Sequence, residues 1–91
     1  MKKYREIDFY RDEWHGYTRI WTVTNEKATK GCGYYFKVTM IEPDGKESVD
    51  AGETYELKYY ANLGSELYKK LLSSCESALR CMKIENFNLG E

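Results

Sequence analysis

The apolar period changes once along this chain, from two to 3.6, and that change limits it to a sheet followed by a helix. From Tyr17 to Thr24, Tyr17, Arg19, Trp21 and Val23 alternate with Thr18, Ile20, Thr22 and Thr24. The run from Tyr34 to Ile41 sets Tyr34, Phe36, Val38 and Met40 against Tyr35, Lys37, Thr39 and Ile41. Successive strand side chains point to opposite faces, so each run has one apolar face and one mixed face. β-branched and aromatic residues fill both runs, as pleated surfaces favour. An opening strand near residues 4–11 places Ile7 and Phe9 opposite Tyr4, Asp8 and Tyr10. Residues 53–61 read as another strand, with Tyr55, Leu57, Tyr59 and Ala61 opposite Thr54, Glu56, Lys58 and Tyr60.

Turn chemistry supplies the joints. Pro43-Asp44-Gly45 closes a hairpin, because proline presets the first turn dihedral and glycine accepts a positive φ. Residues around 46–50 should therefore pair back on 34–42, with Gly52 marking a bend or bulge before the strand resumes at Glu53. Residues 25–33 are polar, bounded by glycines, and read as a loop.

After Ser65, a residue suited to cap a helix, the period becomes helical. Leu67, Tyr68, Leu71, Leu72, Cys75, Ala78, Leu79 and Met82 fall within an arc of roughly 140° at 100° per residue. Ile84 falls outside that arc, so the helix is expected over about 65–83, followed by a tail of 84–91. The expectation is one α+β domain over residues 1–91. It comprises an antiparallel meander of four to five strands, β-rich over 4–61, with one C-terminal amphipathic helix packed on one face.

The sheet face expected against the helix is Ile7, Phe9, Trp21, Val23, Phe36, Val38, Met40, Tyr55, Leu57 and Tyr59. The other face would then collect Tyr4, Tyr10, Ile20, Tyr35, Ile41 and Tyr60, from a chain with nine tyrosines in 91 residues. Tyrosine combines a large apolar ring with a polar tip at low entropy cost, which suits surfaces that alternate between wet and bound. These six residues are the expected partner-binding set. The competing expectation is that Tyr34 or the tail, through Ile84, Phe87 and Leu89, folds over this face as a second core.

Charge is segregated. Residues 1–41 carry eight bases and five acids, whereas 42–56 carry Glu42, Asp44, Glu47, Asp50, Glu53 and Glu56 against Lys46 alone. Such an acidic hairpin can steer a basic partner. Three cysteines without framework spacing, no apolar run of membrane length and no leader pattern point to a cytoplasmic protein with reduced thiols.

No catalytic motif is present: the chain has no Walker loop, GxGxxG, GxSxG or HExxH. Cys32 and the lone His15 have no identifiable third group to orient them. Cys75 lies in the helix's apolar stripe and Cys81 outside it, a poor arrangement for a zinc site. The expectation is no enzyme, no cofactor and no metal. Four antiparallel strands and a helix are topologically similar to Whirly- and Pur-type single-strand-binding proteins, with Tyr35, Tyr60 and Lys37 as the contacts that analogy implies. By parity the open face would carry Glu6, Asp8, Asp12 and Glu56 against Lys37 and Lys58, the wrong balance for a phosphate backbone. The preferred expectation is a non-catalytic module that binds a basic protein surface or a second copy of itself. A phage or mobile-element inhibitor that occludes a host nucleic-acid enzyme, an anti-CRISPR-like role, is one form of it; single-stranded nucleic-acid binding is the alternative.

Overall fold

The computed structural model of the protein describes residues 4–27 and 33–82. Four strands, β1 (Glu6–Trp14), β2 (Tyr17–Lys27), β3 (Tyr34–Ile41) and β4 (Glu47–Glu53), form an antiparallel meander in the order β1-β2-β3-β4. A 3₁₀ turn, η1 (Thr54–Tyr59), leads to one helix, α1 (Glu66–Cys81). The fold is α+β, with the helix packed on one sheet face.

α1 starts where its sequence says it should. Ser65 accepts a hydrogen bond from the Tyr68 N–H at 3.1 Å, and Glu66 lies in the first turn, where the helix dipole favours an acid. Tyr68, Leu71, Cys75, Ala78, Leu79 and Met82 are buried against Trp21, Val23, Phe36, Val38 and Leu57. Leu67 and Leu72 pack at the margin. Burial pushes the Cys75 thiol up to about 12, with Glu76 adding to the shift. It acts as a small hydrophobe rather than a nucleophile.

The hairpins follow local chemistry. His15 and Gly16 both have positive φ, 50° and 82°, in a two-residue turn that sets Trp14 opposite Tyr17. At the β3–β4 turn Gly45 takes φ 93°, its N–H donates to the Glu42 carbonyl at 2.8 Å, and Asp44 Oδ1 accepts from the Lys46 N–H. β3 and β4 then pair one to one from Ile41–Glu47 to Tyr35–Glu53.

Two expectations require correction. Residues 54–59 form a 3₁₀ turn, not a strand. Glu53 and Glu56 make a reciprocal capping box, in which the Glu53 N–H donates to Glu56 Oε1 at 2.8 Å and the Glu53 side chain accepts from the Glu56 N–H. The buried positions Thr54 and Leu57 are three apart, the 3₁₀ period, and Tyr60 packs on the core beside them. Tyr59, expected in the core, is 71% exposed. A Cβ at Gly52 would lie 2.8 Å from Glu56 Oε1, so a side chain there would displace the carboxylate that bonds the Glu53 N–H.

The second correction is in β1. The register with β2 shifts between Asp8 and Tyr10, leaving Phe9 as the extra residue of a bulge. Parity beyond Phe9 is therefore reversed. Tyr10 lies opposite Trp21 and Asp12 opposite Arg19, both on the helix side, while Arg11 and Glu13 move to the open face. β2 also extends to Lys27, into the segment expected to be loop.

Candidate protein-interaction surface

The face of the sheet away from α1 can be read off the register. One cross-strand row is Glu13, Thr18, Ile41 and Glu47; the next is Arg11, Ile20, Thr39 and Val49. Then come Asp8, Thr22, Lys37 and Ala51, with Glu6 opposite Thr24 and Tyr35 opposite Glu53 at the far end. Ile20, Thr39, Ile41 and Val49 make a small apolar centre, and Val49 is 60% exposed. Among the described residues no helix covers this face. The tail residues Ile84, Phe87 and Leu89, expected as a possible cover, lie outside the described residues.

Polar side chains fix the rim. Thr22 Oγ1 donates to Asp8 Oδ1 at 2.7 Å, Thr18 Oγ1 donates to Glu13 Oε2 at 3.0 Å, and Lys37 Nζ lies 3.4 Å from Glu6 Oε1. The face thus carries Glu6, Asp8, Glu13 and Glu47 against Arg11 and Lys37. Bases and acids differ from those expected by parity, because of the bulge in β1 and the 3₁₀ turn at 54–59, but the balance stays acidic.

The expected partner-binding set divides. Ile20, Tyr35 and Ile41 share the open face. Tyr4 precedes β1 and is 42% exposed. Tyr10 and Tyr60 are on the helix side, each packed against the core. The Tyr60 ring meets Trp21 and Phe36 edge-on, with centroids 5.6 Å away in both cases. Its hydroxyl donates to Asp50 Oδ2 at 2.7 Å, and burial, followed by that hydrogen bond, pushes the phenol up to about 12. Of the four tyrosines in that set, the strand register places only Tyr35 on the open face. Val49 is an exposed apolar residue of this face outside the expected set; continuing the hairpin register through residue 52 is the signal that locates it.

The acidic set also divides. Glu42, Asp44 and Glu47 stay together at the β3–β4 turn, on the same sheet end as Glu13. Asp50 holds Tyr60 on the helix side, and Glu53 and Glu56 cap η1. The carboxylate of Glu56, with burial and Glu53 behind it, raises the pKa of Tyr55.

At the same sheet end, but on the helix side, sits a buried ion pair. Arg19 Nη2 and Nε donate to the two oxygens of Asp12 at 2.6 and 3.0 Å, and Trp21 Nε1 donates to Asp12 Oδ1 at 3.2 Å. The guanidinium lies 5.0 Å from the Trp14 ring centroid and 5.1 Å from that of Trp21. Every group here is engaged in holding the β1–β2 hairpin. His15 meets the Trp14 ring edge-on at 4.3 Å, and the Glu13 carboxylate accepts from the Thr18 hydroxyl. Cys32 lies outside the described residues.

Among the described residues no group of three or more His, Cys, Asp or Glu side chains is placed to hold a metal ion. Among them, too, no helix is long and apolar enough to cross a membrane. No protein-family model, curated protein or solved structure matches the chain.

Proposed function

We propose that the protein is a non-catalytic, cytoplasmic binding module whose open sheet face docks a protein with a basic surface. The observation that carries this reading is the apolar centre of Ile20, Ile41 and Val49 set inside a rim of Glu6, Asp8, Glu13 and Glu47. Apolar anchors give affinity once water is excluded, and rim charge sets the encounter rate and rejects wrong partners. A second copy is the weaker candidate, because a two-fold contact would bring this acidic face against itself. Nucleic acid fits less well for the same reason. The aromatic-and-lysine trio that a stacking platform would use is also split, since Tyr60 lies on the helix side and Tyr35 and Lys37 on the other. An inhibitor of phage or mobile-element origin that fills the basic groove of a host nucleic-acid enzyme is one form such a module takes.

The test is capture from a nuclease-treated lysate with the wild type and with the Ile20→Lys, Ile41→Lys double variant. The wild type should retain a protein with a basic surface, and the variant should bind it at least ~10-fold more weakly, as loss of interface anchors does. Far-UV circular dichroism should be unchanged, since neither residue touches the core. Equal retention by both proteins refutes the proposal.

A further inference from the structure

The hydrogen-bond phase of β4 shows what its free edge offers. The Glu42 N–H donates to the Lys46 carbonyl at 2.8 Å, and the one-to-one register continues from there without a shift. In an antiparallel ladder, bonded pairs recur at every second residue. Ser48, Asp50 and Gly52 therefore turn their backbone groups toward β3, whereas Glu47, Val49, Ala51 and Glu53 turn theirs outward. Glu53 fits this phase, since its N–H goes to Glu56 Oε1 instead of to β3. No described strand lies beyond β4, and Glu47–Ala51 are all exposed.

Sheet edges are commonly guarded by lysine, proline, a bulge or a covering element. β1, the opposite edge, has the bulge at Phe9, and a groove between this edge and α1 is lined by Ile7 and Phe9 with Ser73, Ser74 and Ser77. Among the described residues β4 has none of these guards. It has acids instead, Glu47 on the open face and Asp50 on the helix face. Those acids oppose pairing with a second copy, whose own Glu47 and Asp50 would approach them, and favour an extended segment bearing bases.

We infer that the outer edge of β4 accepts an added strand from a basic partner protein, through the backbone groups of Glu47, Val49 and Ala51. This deepens the reading above, and rests on it, by naming how the partner is held. Main-chain bonds supply affinity in such complexes, and side chains at alternating positions supply selectivity. The incoming strand has lysine or arginine opposite Glu47 and Asp50 and an apolar residue opposite Val49, where it extends the apolar centre of the open face.

The probe is a blocked antiparallel peptide, Thr-Thr-Val-Lys-Val-Thr-Lys, added to isotope-labelled protein and followed by amide hydrogen exchange. Slowing is expected at Val49 and Ala51 and not at Ser48 and Asp50, whose N–H groups already point to β3. Val49→Pro, which removes an outward N–H that the fold does not use, should abolish binding. If that variant fails to fold, the alternating exchange pattern in the wild type decides. The same peptide with glutamate for lysine should not bind. Slowing at no edge amide overturns the inference, and so do equal binding of the glutamate peptide and edge amides already protected by self-association. Shifts confined to Ile20 and Ile41 would overturn the edge inference while leaving the open-face reading intact.

Discussion

Asp12→Ala is expected to lower folding stability by about 3–5 kcal/mol, as breaking an ion pair around a buried guanidinium does. The Arg19 side chain is only 5% exposed, so removing its carboxylate leaves a guanidinium without a counter-charge inside the fold. Trp21 Nε1 loses its acceptor at the same time. Stacking against Trp14 and Trp21 cannot replace two charge-assisted hydrogen bonds. A small domain has only about 5–15 kcal/mol to lose, so the urea midpoint should fall steeply. The control is Asp12→Leu with Arg19→Met, which removes both charges and should recover most of the loss. If Asp12→Ala unfolds like the wild type, the pair does not hold the β1–β2 hairpin.

Tyr60→Ala is the second large effect, expected at about 2–3 kcal/mol, below the cost of a fully buried aromatic because the side chain is only partly buried. It removes two edge-to-face contacts, with Trp21 and Phe36, and the hydrogen bond to Asp50. Tyr35→Ala, on the open face, leaves the Trp21 and Phe36 ring contacts of Tyr60 in place and should cost less. Sequence parity puts these two tyrosines on one surface; thermal melts of the two single variants separate them. Tyr60 also makes stability depend on alkaline pH. A phenol kept protonated by the fold, but free to ionise near 10.0 when unfolded, contributes fully below pH 10 and loses that contribution as pH rises through about 12. Tyr60→Phe should therefore flatten the decline over that window. Cys75, raised from 9.0 to about 12, leaves a residual slope of the same sign. A decline that is identical in Tyr60→Phe would show that the hydroxyl is not held as described.

The helix is legible in the sequence because its signals agree: the Ser65 cap and the apolar positions at helical spacing all locate α1 within two residues of its observed ends. β2, β3 and the Pro43-Asp44-Gly45 turn are legible for a similar reason, with alternation and turn residues reinforcing each other. Two features are not. In residues 53–61 tyrosines and leucine fit period two, yet the Glu53–Glu56 capping box and the burial of Thr54 and Leu57 obey period three. The signature Glu-x-x-Glu is present there, but the stronger two-residue alternation of the aromatics masks it. The bulge at Phe9 has no residue signal, being neither glycine nor proline, and one extra residue reverses every later side chain of β1. Together these two features dissolve the expected tyrosine face. Of the expected set, Ile20, Tyr35 and Ile41 still share one sheet face, because alternation on β2 and β3 is unbroken there.

If the open face, and not the helix face, meets the partner, methyl spectra of the protein with and without the captured partner should show it directly. Shifts or broadening are expected at Ile20, Ile41 and Val49, with Val23, Val38 and Leu71 behind the sheet unmoved. Perturbation of the helix-side methyls alone would contradict this, as would the same open-face shifts on adding micromolar single-stranded oligonucleotide at moderate salt.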